Sequence, residues 1–392
     1  MSDDRAMDTI EILGRLIAFD TVSDRPNLPL ITWLHDLLAE AGADVHLVGD
    51  ETGTKANLYA TIGPTDRPGV LLSGHTDVVP VKGQAWTVPP FEMTERDGRL
   101  HGRGTADMKG FVAAAMACAL KAAGRDLATP LHLAFSHDEE IGCIGVRSLI
   151  AMLDDAPFVP RFCIVGEPTE MKVGTGHKGK TALTAICTGR EAHSALAPTG
   201  VNAIHLAADL VAHLRDMQAK LAERGAADDA YDVPYTTVHA GMIDGGVQLN
   251  IVPNRCRLDF EIRNLAEDDP DAMLADIRAQ ADRIAEQYRD VAPESGIEIE
   301  TAFSYPGLAT PVDAEVIAFV TALTGGNETI KLAYGTEGGL FSRDLGIQTV
   351  ICGPGSMAQG HKPDEYVGIE DMVQSAQVMA LALCDLLNGA PD

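Results

Sequence analysis

Apolar positions along the chain follow two different rhythms. Over residues 7–19 and 31–41 they recur at helical spacing. Short apolar runs at 56–62 and 69–74 predict strands, and Thr94–Gly102 predicts a hairpin turning near Gly98. From Asp107 to Ala123 the chain is rich in Ala and Met and predicts a helix, with Thr105 or Asp107 as its cap. Strand, turn and helix then alternate to about residue 177, the pattern of a largely parallel sheet.

The rhythm changes near Thr181. Thr181–Thr188 alternates as a strand, Asn202–Leu221 is an amphipathic helix, and Thr236–Ala240 and Arg257–Arg263 predict strands. Asp269–Tyr288 predicts a second helix and Ile297–Phe303 a last strand. The order β-α-β-β-α-β is ferredoxin-like. After Pro306-Gly307 the α/β pattern resumes, with helices near 312–324 and 369–388. The expected layout is an α/β catalytic domain in two parts, residues 1–178 and 305–392, carrying an inserted α+β lid over residues 179–304. There is no internal repeat and no low-complexity segment.

Composition narrows this picture. A chain of 392 residues is long for one core, which favours two domains. With 46% apolar and 22% charged residues it has the balance of a soluble globular protein. The formal charge of −27 is spread along the chain and argues against nucleic acid and anionic membranes as partners. The seven cysteines, at 118, 143, 163, 187, 256, 352 and 384, show no CxxC spacing. Several lie in apolar runs, as reduced cysteines packed like small hydrophobes do, which fits a reducing cytoplasm. Met1 to Ala6 is polar and acidic, without the apolar core of a signal peptide. No run approaches 18 apolar residues, so no membrane span is expected.

The candidate chemistry sits where apolar runs end. Leu71–Gly74 leads into His75-Thr76-Asp77, Leu131–Phe135 into Asp138-Glu139-Glu140, and Phe162–Val165 into Gly166-Glu167. Thr349–Cys352 leads through Gly353-Pro354-Gly355 to His361. Ligands bind at the carboxyl ends of strands in open α/β sheets, so these residues are expected to meet there. Nitrogen and oxygen donors suit a zinc-like divalent ion. In His75-Thr76-Asp77, the Asp77 carboxylate can accept the Nδ1 proton of His75 and leave Nε2 for metal. Asp107 can cap its helix or bridge two metals. Glu139 and Glu140, adjacent in an extended segment, point opposite ways, so that one can bind metal and the other act as general base. His193 lies in a loop after the first lid strand, from which it could reach a substrate oxygen. Gly174–Thr181 fits the phosphate-loop pattern G-x-x-x-x-G-K-[ST], but a strand-like run follows instead of a helix. It reads as a hinge.

Taken together, these motifs are identified as those of the dinuclear zinc M20-type peptidase and deacylase family. Ser73–Pro80, Gly102–Gly110 and Asp138-Glu139-Glu140 carry the resemblance, which covers essentially the whole chain. Gln84-Ala85-Trp86, Arg103–Phe111 and Tyr334–Phe341 look most like the acetylornithine deacetylase branch. The succinyl-diaminopimelate desuccinylases usually have Ser-Asp where this chain has Glu337-Gly338. The resemblance implies a three-layer α/β/α zinc-peptidase-like catalytic domain with a lid that also dimerises. His75 and Glu167 would bind one divalent metal, Glu140 and His361 the other, and Asp107 would bridge them. Zinc is expected, with cobalt and manganese as substitutes. Asp77 would orient His75 and Glu139 would be the general base. His193 would serve the active site of the neighbouring subunit as an oxyanion donor, in a homodimer. Asn250 and Arg263 of the lid, Gly335 and Thr336 of the catalytic domain, and Lys178 would contact substrate. The expected reaction is amide hydrolysis of an N-acyl amino acid, with N-acetylornithine, N-succinyl-diaminopimelate, broader aminoacylase or dipeptidase substrates, and a catalytically silent binding role as the readings to separate.

Overall fold

The computed structural model describes residues 8–388, so the acidic segment Met1 to Ala6 lies outside the described residues. The chain divides into two compact units. Among the described residues the first comprises 8–176, 309–331 and 336–388, the second 177–308 and 332–335.

The first unit is built on a mixed sheet. Its middle is four parallel strands in the order Leu131–Ser136, Val70–His75, Phe162–Val165, Gln348–Ile351. The first three are buried throughout, as parallel strands between helix layers are, and in Gln348–Ile351 only Gln348 is half-exposed. Antiparallel strands flank them. Ala56–Ile62 pairs with Leu131–Ser136, Asp44–Gly49 pairs with Ala56–Ile62, and Val173–His177 meets Gln348–Ile351. The parallel register places His75 opposite Ser136, and Ser73 and Ile351 opposite Val165. The residues that follow these strands therefore emerge at one edge.

Helices cover both faces. Thr9–Ile17, Leu28–Glu40, Lys109–Ala122, Glu315–Thr324 and Ile369–Asn388 pack on one side, Val146–Asp154 and Gly338–Leu345 on the other. Thr9–Ile17 opens with a capping box between Asp8 and Glu11. Leu28–Glu40 starts earlier than its apolar rhythm suggests because Pro29 fits the first helical turn. Neither Thr105 nor Asp107 caps Lys109–Ala122; the cap position is Met108, without a side-chain bond. The Thr105 hydroxyl donates to the Gly102 carbonyl at 2.8 Å, and the Asp107 carboxylate is engaged by two imidazoles. The hairpin Thr94–Arg96 and Arg99–His101 turns at Asp97-Gly98, both with positive φ, and Tyr366–Gly368 adds a third strand to it.

The second unit is a four-stranded antiparallel sheet in the order Thr237–Gly245, Arg255–Arg263, Lys180–Thr188, Gly296–Tyr305. Ala203–Arg224 and Pro270–Glu286 pack on it, around Leu183, Ala185, Leu206, Leu210, Phe260, Ile262 and Ile277. This is the ferredoxin-like order read from the sequence. Lys180–Thr188 is a strand, so no helix N-terminus follows Gly174–Thr181 to cradle a phosphate. The six cysteines whose surroundings are described are buried free thiols. Among the described residues no helix is long and apolar enough to cross a membrane.

Candidate active site

At the carboxyl edge of the parallel strands, the structure gathers His75, Asp107, Glu139, Glu140, Glu167 and His361. His75 is the last residue of Val70–His75 and is almost fully buried. Its Nε2 lies 3.1 Å from Asp107 Oδ1 and 3.6 Å from Glu167 Oε1. His361 Nε2 lies 3.0 Å from Asp107 Oδ2 and 3.1 Å from Glu140 Oε2. Asp107 thus gives one carboxylate oxygen to each imidazole. Ligand atoms of His75, Glu139 and Glu167 lie within 4.8 Å of one another, as do those of His75, Asp107 and Glu140. Glu140 Oε1 is buried without a hydrogen-bond partner. Two imidazole nitrogens, several converging carboxylates and an orphaned buried oxygen form a donor set that could hold divalent cations.

The surroundings set the charges. Burial alone would raise Asp107, but hydrogen bonds from His361 and His75 hold it well below the usual carboxylate range. His361 is pushed up to about 10 by its hydrogen bonds to Asp107 and Glu140. Burial would lower His75, yet Asp107, Asp77 and the charges of Glu167 and Glu139 push it above its ordinary value. Glu140 is raised to about 7, first by burial and then by Asp107. Glu139 and Glu167 are raised well above the normal range, mainly by burial. So much acid in one buried place calls for cations beyond the two histidines.

Asp77 acts otherwise than its spacing suggests. The Nδ1 proton of His75 goes to the Asp77 carbonyl at 2.9 Å, while the nearer carboxylate oxygen is 3.6 Å away. The turn after the strand brings the i+2 carbonyl over the ring. The carboxylate instead accepts from Ser23 Oγ at 2.6 Å and from the backbone N–H groups of Glu139 and Glu140 at 3.1 and 3.3 Å. It therefore anchors the segment that carries both glutamates. That segment is not extended: Asp138 has φ 57° and is pinned by Lys55 at 2.6 Å.

The structure adds two buried residues to the candidates, Cys143 and Glu337. The buried Cys143 Sγ lies 3.3 Å from Glu139 Oε1, and burial pushes its pKa well up, so it is a thiol donor rather than a thiolate nucleophile. Glu337, the buried residue that precedes Gly338–Leu345, accepts from Ser73 Oγ at 3.2 Å and from Ser136 Oγ. Its signal was an acidic residue before Gly338-Gly339, legible as a family mark but not as a buried charge.

Of the remaining candidates, His193, Asn250, Arg263, Lys178 and Gly335 belong to the second unit and Thr336 to the first. In the second unit His193 is exposed, and its Nδ1 accepts from the Ala195 N–H at 3.1 Å. Asn250 lies beside it: its carbonyl accepts from the Ser194 N–H at 3.0 Å, and His193 bridges Ile251. Arg263 Nε donates to Glu261 at 3.0 Å, and Glu261 also meets Lys180 at 3.3 Å. The Lys178 ammonium is committed to the carbonyls of Val233 and Tyr235 and sits 5.6 Å from the Tyr231 ring centroid. These two bonds anchor the side chain within the second unit and leave one of the three ammonium N–H donors. Gly335 is required by the Tyr305 ring, which an added Cβ would meet at 2.2 Å. Thr336 is buried, its hydroxyl accepting from the Gly338 N–H at 3.0 Å.

Residues 71–385 match the model of peptidase family M20/M25/M40. The chain belongs to that family. It is 36% identical over 386 residues to the acetylornithine deacetylase of Myxococcus xanthus, covering 96% of this chain and 97% of that one. Among solved structures, an M20 family metallo-carboxypeptidase from Sulfolobus solfataricus shares the fold, with a TM-score of 0.76 at 18% identity over 96% of this chain and 99% of that one. A dinuclear metal-binding M20 peptidase from Bacillus subtilis has a TM-score of 0.62 at 15% identity, over 96% and 97% of the two chains. This M20 chain is accordingly a metal-dependent hydrolase, and the acidic cluster of its first unit is its candidate metal centre.

Proposed function

We propose that this protein hydrolyses the amide bond of an N-acyl amino acid, foremost N-acetylornithine, to ornithine and acetate, a step of arginine biosynthesis. The observation that carries the reading is the 36% identity along 96% of the chain to an acetylornithine deacetylase. The six buried free thiols support a cytoplasmic setting.

His75 and Glu167 would hold one divalent ion, Glu140 and His361 the other, with Asp107 between them. Zinc suits these nitrogen and oxygen donors, and cobalt or manganese would be accepted. Bound there, the two ions would polarise the amide carbonyl and make a shared water acidic enough to react near neutral pH. Glu139 would take a proton from the attacking water as its oxygen bonds to the carbonyl carbon, and return it to the nitrogen as the C–N bond breaks. Its burial beside Glu140, Glu337 and Asp107 raises its basicity, and the Cys143 thiol steadies one oxygen. Asp77 holds the backbone beneath Glu139 and Glu140.

His193 donates to the developing oxyanion from a second copy of the chain. Because its Nδ1 accepts a backbone N–H, the neutral ring carries its proton on Nε2, ready to donate. Association through residues 179–304 is supported by exposed Leu196, Met242, Ile243, Val247 and Leu249, the last 99% exposed. Arg263 and Asn250 would engage the substrate carboxylate and acyl group; guanidinium suits a carboxylate. Gly335 and Thr336 would shape a loop that lines the substrate site.

The test is a comparison of kcat/KM for N-acetylornithine, N-succinyl-diaminopimelate, several N-acetyl amino acids and dipeptides, with metal-replete protein and a chelator control. N-acetylornithine should lead and the chelator should abolish turnover. A lead for the succinyl substrate or for dipeptides would move the substrate assignment to those relatives.

A further inference from the structure

The segment Gln84–Thr87 lies against the loop that carries His361. Gln84 Nε2 donates to the His361 carbonyl at 2.8 Å. Gln84 Oε1 accepts from Arg103 Nη2 at 2.6 Å and from Trp86 Nε1 at 3.0 Å. Arg103 is buried, stacks 5.1 Å from the Trp86 ring centroid, and pairs with the buried Glu365. The other oxygen of Glu365 accepts three backbone N–H groups, from Gly104 at 3.1 Å, Ala106 at 2.9 Å and Asp107 at 3.1 Å. A continuous chain of hydrogen bonds thus runs from the Asp107 backbone through Glu365, Arg103 and Gln84 to the His361 backbone. A second clasp joins the same segments, because the Asp364 carboxylate accepts from Thr87 N and Thr87 Oγ1, both at 2.7 Å.

His361 needs such a tether. Its side chain is 50% exposed, against 1% for His75, and its backbone has φ 61°, a conformation non-glycine residues rarely adopt. Beyond its bonds to Asp107 and Glu140 little packing holds the ring, so its place also depends on what fixes its main chain. We propose that Gln84, backed by Arg103 and Glu365, is a positioning residue that sets His361 against Asp107 and thereby tunes metal affinity at the Glu140/His361 half only. This rests on the reading that the cluster holds two divalent ions.

The test titrates metal-free protein with Zn²⁺ by competition calorimetry, for the wild type, His361→Ala, Gln84→Glu and Gln84→Met, with thermal unfolding of each metal-free variant. Gln84→Glu keeps an acceptor for Arg103 and Trp86 but has no N–H for the His361 carbonyl. The wild type should bind two equivalents and His361→Ala should lose one. Gln84→Glu and Gln84→Met should keep wild-type affinity for the first equivalent and bind the second about 10–100-fold more weakly, with unfolding unchanged in Gln84→Glu and slightly earlier in Gln84→Met, which leaves Arg103 without its Gln84 acceptor. Wild-type affinity for both equivalents in the Gln84 variants would overturn the positioning role and leave the two-ion reading standing. Equal weakening of both would also overturn it, since a general loosening is not a selective tether. Fewer than two equivalents in the wild type would overturn the two-ion reading and the positioning role with it.

Discussion

At the scale of single residues, the site is organised by where protons and backbone donors go. Metal-free His361 is pushed up to about 10, and Glu140 to about 7. At pH 7 the imidazole is therefore protonated and the carboxyl is partly so. Ligation requires both to be deprotonated, so metal uptake must expel these protons. A raised pKa holds its proton until the pH exceeds it, so affinity should climb as pH rises from 6 to 8. Calorimetry in two buffers of different ionisation heat should show release of more than one proton at this half; no release would contradict the assignment. The roles of Asp77 and Cys143 were not legible in the sequence, because both rest on contacts set by local turns. A His-x-Asp spacing fixes nearness, not which Asp77 oxygen meets the ring.

At the scale of elements, strand ends and close approaches make the site. The apolar runs before His75, Glu139, Gly166 and His361 were readable because strands buried on both faces show as unbroken hydrophobic runs. The strand Asp44–Gly49 went unread: it is an edge strand with a mostly exposed, irregular pattern. Gly166 shows how tightly the edge is packed, since an added Cβ would lie 1.8 Å from the Phe111 ring. Gly166→Ala should cost about 3 kcal/mol by overpacking and disturb Glu167 beside it. Gly296→Ala, where a Cβ meets nothing within 4 Å, serves as control and should stay within about 0.5 kcal/mol. Denaturant unfolding of the metal-free variants compares them, and equal stability would contradict this packing account.

At the scale of the whole molecule, the ferredoxin-like unit was legible from its change of rhythm, although the structure draws its limits at residues 177–308 and 332–335. The short return at 332–335 could not be read, because four residues carry no periodicity. A second copy of the chain enters the account through His193. His193→Ala should keep its metal and lower kcat by about 10²–10³-fold, the usual cost of losing an oxyanion donor. Mixing it with Glu139→Gln under conditions of demonstrated subunit exchange should restore part of the activity, because one site of each mixed pair is then complete. Steady-state rates before and after exchange check this, and no recovery would contradict the cross-subunit role.

In the proposed mechanism Glu139 would move the proton over a centre held by His75, Asp107, Glu140, Glu167 and His361. Bound metal and N-acetylornithine turnover, measured together for wild type and Glu139→Gln, decide this role. Both proteins should bind two equivalents of metal, and the variant's kcat should fall by about 10²–10⁴-fold or more. Two bound metals with wild-type turnover in Glu139→Gln would contradict the account.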